Sequence, residues 1–129
     1  MSEMFFNCMS LKNINLLGCN ISNVHTMFGM FSACESLEKI DLSYLHVSQL
    51  YNIGCMFSWC TILKDVNLSG WDISNVESAY HMFYNCGSLE NLDINGWYTT
   101  KKYNINNDEM FVNCKKLKPI PKIKIKPNI

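Results

Sequence analysis

The chain contains no arginine. Sequence-specific reading of DNA leans on bidentate arginine contacts to guanine, so that class of function is disfavoured. Charged residues are only 17% of the 129 and apolar ones 48%, which excludes a disordered tail. No run approaches the roughly 18 uninterrupted apolar residues of a membrane span. No basic segment followed by an apolar one opens the chain, so no signal peptide is expected. Cys-x-x-Cys, a glycine-rich phosphate loop and a Gly-x-Ser-x-Gly elbow are all missing, and with them the common zinc, nucleotide and hydrolase signatures. The length allows a single core.

What is present is a repeat. Met-Phe-x-x-Cys begins at Met4, Met30, Met56, Met82 and Met110, with steps of 26, 26, 26 and 28 residues. Three residues after each Cys stands Leu11, Leu37, Leu63, Leu89 or Leu117. Ile14, Ile40, Val66, Leu92 and Ile120 follow, then Leu16, Leu42, Leu68 and Ile94. That last part alternates with period two, as a short half-buried strand does. Gly18, Gly70 and Gly96 mark the turn after it. The stretch before each Met-Phe, such as Asn75–Phe83, has apolar residues three or four apart and predicts a short helix or 3₁₀ turns. One unit cannot bury its own apolar face, whereas a stack makes a continuous core. The expected fold is a repeat solenoid of about five 26-residue coils. Five strands spaced by about 4.8 Å would form a parallel β ladder on one side, with short helical or 3₁₀ segments on the other.

The string C-x-S-L-x-x-[IL]-D-[LI]-S-x-[WL]-x-[IV]-S, carried by Cys34–Ser48 and again near Ile73-Ser74-Asn75-Val76, resembles the BspA-like leucine-rich repeat. The resemblance runs from Met1 to about Ile120. It implies a bacterial surface protein or lipoprotein module that displays a binding surface, often for adhesion, and it implies no catalytic residue. Two departures stand out: a two-residue insertion within Trp97–Glu109, and a Lys/Pro-rich end. Residues 1–114 are therefore read as the solenoid and 115–129 as a cap or tail.

Seven cysteines invite a disulfide or metal reading, but five of them (Cys8, Cys34, Cys60, Cys86, Cys114) share one repeat position. Buried free thiols are the expectation, with disulfides and a metal as alternatives. Cys19 and Cys55, outside that position, are the expected reactive pair. His25, His46 and His81 occupy three different repeat positions with no partner at fixed spacing, so no catalytic residue, cofactor or metal ligand is assigned and no enzyme is expected. Asn20-Ile21-Ser22 and Asn67-Leu68-Ser69 match the glycosylation acceptor pattern, although both serines belong to the repeat.

Partner-facing positions should be the outward members of the strands. Asn15, Asp41, Asn67, Asp93 and Pro121 form one column, and Asn13, Lys39, Asp65, Asn91 and Pro119 another. Such a polar ladder either solvates the face through mutual hydrogen bonds or recognises a protein. Tyr44, Tyr98 and Tyr103 in connecting segments would add aromatic anchors.

The net charge is zero but divided. Residues 1–100 carry Lys12, Lys39 and Lys64 against nine acids, and 101–129 carry eight lysines against Asp108 and Glu109, giving −6 and +6. Lys115, Lys116, Lys118, Lys122, Lys124 and Lys126 lie beside Pro119, Pro121 and Pro127, as at an edge protected from further pairing. Ile123 and Ile125 suggest one more strand over the last coil. The alternative is a basic patch for nucleic acid, anionic lipid or an acidic protein.

The functional expectation is a non-catalytic protein-binding or adhesion module. A stand-alone inhibitor from a phage or mobile element, blocking a large host protein or nucleoprotein complex, is the alternative. Self-association through an uncapped N-terminal coil is a third. A surface or secreted location is expected for a piece of a longer family protein, and a cytoplasmic one for a complete chain.

Overall fold

The computed structural model describes residues 1–100, 105 and 107–126. Three strands, β1 (Lys39–Asp41), β2 (Asp65–Asn67) and β3 (Asn91–Asp93), pair in parallel in the order β1-β2-β3. Their register follows the repeat: Lys39 faces Asp65, which faces Asn91, and Asp41 faces Asn67, which faces Asp93. A second parallel pair joins β4 (Tyr98–Thr99) to β5 (Lys124–Ile125), and α1 (Asn107–Met110) is one helical turn between them in sequence. Parallel strands in a chain of mostly sheet and coil are compatible with a repeat solenoid.

The first sheet has three strands among the described residues, where the periodicity predicts five. At the first level, the Leu16 amide donates to the Tyr44 hydroxyl at 2.9 Å, where its counterparts Leu42 and Leu68 donate to carbonyls of the next level. At the last, Pro119 and Pro121 stand where a strand would need its donors. Tail residues do form a strand, β5, and it pairs with β4 rather than with β3.

Apart from α1, the stretch before each Met-Phe, where the spacing predicts a short helix or 3₁₀ turns, forms no helix among the described residues, and single turns run from it through Met-Phe-x-x-Cys. Within 29–34 the amides alternate. Those of Met30, Ser32 and Cys34 close turns onto the carbonyls of Met27, Gly29 and Phe31, at 3.2, 3.0 and 3.2 Å. Those of Gly29, Phe31 and Ala33 donate instead to Gly54, Met56 and Ser58 of the next level, at 2.9, 2.9 and 2.8 Å. The alternation requires left-handed backbone at fixed positions. Besides Gly29, non-glycine residues adopt it: Ala33 (φ 59°), Cys55 (53°), Trp59 (64°), His81 (53°) and Asn85 (58°). Apart from Asn85, whose residue type tolerates it, each costs roughly 1–2 kcal/mol. Each also aims its amide along the stack: Cys55 to Tyr80, Trp59 to Tyr84, His81 to Glu109 and Asn85 to Val112, at 2.8–3.2 Å. A buried amide without an acceptor would cost as much.

Side chains follow in columns. Phe5, Phe31, Phe57, Phe83 and Phe111 stack with centroids 5.4–5.6 Å apart and planes within 10° of parallel. The thiols of Cys34, Cys60, Cys86 and Cys114 donate to the carbonyls of Phe5, Phe31, Phe57 and Phe83 one level back, at 3.0–3.2 Å. Trp71 and Trp97 stack at 6.4 Å, and their indole N–H groups reach the carbonyls of Leu42 and Leu68 at 2.9 Å. The buried thiols and indole N–H groups of these columns thus have partners, as an apolar interior demands.

Candidate functional site

The Asn/Asp column has a local role. At each strand end the side-chain oxygen folds back two residues: Asp41 accepts from the Ser43 amide and hydroxyl (2.9 and 2.6 Å), Asn67 from those of Ser69 (3.1 and 2.8 Å), and Asp93 from the Asn95 amide (2.9 Å). These contacts stop the strand and start the turn. The two Ser43 bonds, with a smaller contribution from Asn67, hold the Asp41 carboxyl below its usual range. The Asn20-Ile21-Ser22 and Asn67-Leu68-Ser69 tripeptides are both turns of this kind. In the neighbouring column Asn91 Nδ2 donates to Asp65 Oδ1 at 2.5 Å.

Beside β3 the surface opens into a cleft of about 660 Å³. One wall is the outward face of β2 and β3, with Asp65, Asn67, Asn91 and Asp93. The other is the C-terminal segment, with Lys118, Pro119, Pro121, Lys122 and Lys124. Val66, Leu92, Ile94, Trp97 and Leu117 supply the apolar lining, and Tyr98 borders it. The volume lies in the range of ligand-bearing clefts. The β4–β5 pairing places the tail there: Tyr98 faces Lys124, and the Lys126 amide donates to the Thr99 carbonyl at 2.8 Å.

Eight of the sequence-derived candidates converge on this cleft: Asp65, Asn67, Asn91, Asp93, Tyr98, Lys118, Lys122 and Lys124. Lys39 and Asp41 continue the same face on β1, away from it, and Asn15 is exposed at the first level outside any strand. Tyr44 borders a separate hollow of about 300 Å³ with Leu17, Cys19 and His46. Lys115 and Lys126 are exposed outside the cleft, and Lys116 pairs with Glu90 at 3.6 Å. Tyr103 lies outside the described residues.

A second surface feature went unread in the sequence. Trp59 and Tyr80, both half exposed, join His81 and Tyr84 in one aromatic group: Tyr80 on His81 at 3.7 Å, His81 on Tyr84 at 4.5 Å, and Trp59 edge-on to Tyr84 at 5.8 Å. Trp59 and Tyr84 are x residues of Met-Phe-x-x-Cys. Trp59 and His81 both stand at left-handed turns, which the apolar spacing does not reveal.

All seven cysteines are free thiols. Burial, with the neighbouring Cys8, raises Cys34 to about 11. Burial, with Cys34, takes Cys60 to about 12, and burial takes Cys114 to about 11. Cys55 is half-buried and also raised, by burial, whereas Cys19 is exposed. Thiolate, not thiol, is the nucleophile. At neutral pH a thiol reagent should therefore modify Cys19 first, and reach Cys34, Cys60, Cys86 and Cys114 only as fast as the chain unfolds. Peptide mass spectrometry over time checks the order. Rapid labelling of Cys60 in the folded protein would contradict the buried column.

Among the described residues no group of three or more His, Cys, Asp or Glu side chains is placed to hold a metal ion. No helix among them is long and apolar enough to cross a membrane. The recurring columns and parallel ladder give the chain the character of a repeat protein, with a charged cleft beside the last strand of its sheet. The family model described as "Mycoplasma protein of unknown function, DUF285" matches residues 1–122, and the chain belongs to that family. Neither a curated protein nor a solved structure matches it.

Proposed function

We propose that the chain is a BspA-like, leucine-rich-repeat-type solenoid of about five 26-residue coils that serves as a non-catalytic protein-binding or adhesion module. On this reading 1–114 form the solenoid and 115–129 close its end, which the β4–β5 pair supports. One observation carries the functional part: the cleft sets a polar, acid-bearing strand face opposite three lysines over an apolar lining. Mixed polarity around an apolar centre suits recognition of another protein.

The test is retention of host surface proteins on the immobilised chain, compared with a Lys118→Glu/Lys122→Glu/Lys124→Glu variant. The three lysines are exposed and make no ion pair among the described residues, so the variant should fold, which circular dichroism verifies. Proteins held by the parent chain should be lost by the variant at moderate salt. An identical retained set would remove the cleft as the binding site.

A further inference from the structure

The sheet ends at β3 with its edge unused. Two levels and one level below, the Leu42 and Leu68 amides donate to the carbonyls of Asn67 and Asp93 at 2.9 and 2.8 Å. Ile94, the next residue in that column, has no acceptor for its amide among the described residues. Among the described residues no backbone hydrogen bond from the C-terminal segment reaches Glu90–Ile94. Pro119 and Pro121, one unit on from Asn91 and Asp93, have no N–H to offer.

The apolar residues of this strand are uncovered as well. Ile40 and Val66 are 6% and 3% exposed, and Leu42 and Leu68 are fully buried. Their counterparts Leu92 and Ile94 are only half-buried, and both line the cleft. A missing strand would explain both facts at once. It would accept from the Ile94 amide and place alternate side chains over Leu92 and Ile94.

Charge says what such a strand should carry. The cleft's acids already have partners within the chain: Asp65 accepts from Asn91, Asp93 from the Asn95 amide, and Glu90 pairs with Lys116. Lys118, Lys122 and Lys124 make no ion pair among the described residues. We propose that an extended peptide segment of a partner protein, with acidic residues alternating with apolar ones, adds as a strand along the free edge of β3 and fills the cleft. The inference rests on the protein-binding reading above and specifies its ligand. Main-chain hydrogen bonds would supply affinity, and the alternating side chains selectivity.

Fluorescence anisotropy with a labelled octapeptide of alternating valine and glutamate tests it. The parent chain should bind this peptide, and should bind the valine–lysine counterpart about tenfold more weakly or worse. N-methylation of every second amide, on the face that pairs, should cost a similar factor. The triple Lys→Glu variant should reverse the glutamate–lysine preference. Ile94→Pro removes an amide that has no acceptor among the described residues, so it should weaken peptide binding, with only a modest fall in melting temperature for the lost Ile94 packing. If that variant fails to fold, the N-methyl peptides still decide. Equal binding of methylated and unmethylated peptides, or no binding of the glutamate peptide, overturns the proposal. A concentration-dependent dimer of the parent chain that Ile94→Pro abolishes overturns it too, in favour of a second copy on the edge. Should the peptides fail while protein retention still depends on the three lysines, strand addition falls and the protein-binding reading stands.

Discussion

Replacing Phe57 by alanine should destabilise the chain by about 3–5 kcal/mol, the range for a fully buried aromatic. Its ring lies between those of Phe31 and Phe83, at 5.5 and 5.4 Å, and has no exposed surface. Its carbonyl accepts the Cys86 thiol, and its amide donates to Met82 at 2.8 Å. The backbone around it is tied to levels on both sides, so the vacated space can close only by pulling two hydrogen-bonded levels together. Small domains hold only about 5–15 kcal/mol in all, so the loss would consume a large part of the total. Phe5, at the end of the same column and half-buried, should cost clearly less on the same change. Urea denaturation of both variants checks the contrast, and equal losses would contradict the column as a continuous core.

Alkaline solution should unfold the chain more readily than its lysines and tyrosines alone would bring about. Burial first, then the neighbouring Cys34 thiol, raises Cys60 from 9.0 to about 12. Cys86 is raised well above 9.0 by burial and by its neighbours Cys60 and Cys114. An unfolded thiol ionises near its ordinary value while the folded one keeps its proton, so above that value the folded state binds more protons. Stability is then at its full value below about pH 9 and falls as pH climbs toward 12. Each unit of that window costs roughly 1.4 kcal/mol per strongly raised thiol. Melting temperature should therefore drop steeply across the window in the parent chain. Cys60→Ala, somewhat less stable at neutral pH, should lose stability more slowly over it. Parallel curves for the two proteins would show that the thiol column does not set the alkaline limit.

Much of this fold is legible in the sequence, because a side chain that meets its own equivalent leaves a periodic record. The phenylalanine and cysteine columns, the paired tryptophans and the residues of β1, β2 and β3 can all be read from the 26-residue step. The turns cannot be read in the same way. Left-handed backbone usually announces itself as glycine or asparagine, whereas here Ala33, Cys55, Trp59 and His81 adopt it because the level-to-level hydrogen bonds demand it. Apolar spacing of three and four therefore left a short helix and 3₁₀ turns undistinguished. The strand count failed for a local reason at each end, the Leu16 amide taken by the Tyr44 hydroxyl and prolines at 119 and 121.

The candidate site divides similarly. Its residues were legible one at a time, as an outward ladder and a lysine-rich tail. Their meeting was not, because it depends on Tyr98 pairing with Lys124, for which the repeat has no equivalent. The prolines read naturally as a guard against further pairing. They do stop the tail itself from pairing with β3, and in doing so they leave the Ile94 amide unmatched among the described residues, beside an apolar lining.

The alternation of amides between turn and stack also constrains how such a gene can change. A whole unit gained or lost by recombination restores every ladder, because each level offers the same carbonyls that the last one did. A single codon inserted between Met56 and Cys60 would reverse which amides point along the axis and break the bonds on both sides. The one departure from the 26-residue step here, the extra two residues between Met82 and Met110, falls within Trp97–Glu109, in the connecting part of the unit. Beyond it the ladder resumes in register, with the Phe83 amide on Met110 at 3.0 Å and that of Asn85 on Val112 at 3.0 Å. Variation in length belongs to the connections, and heredity in this architecture works by the unit.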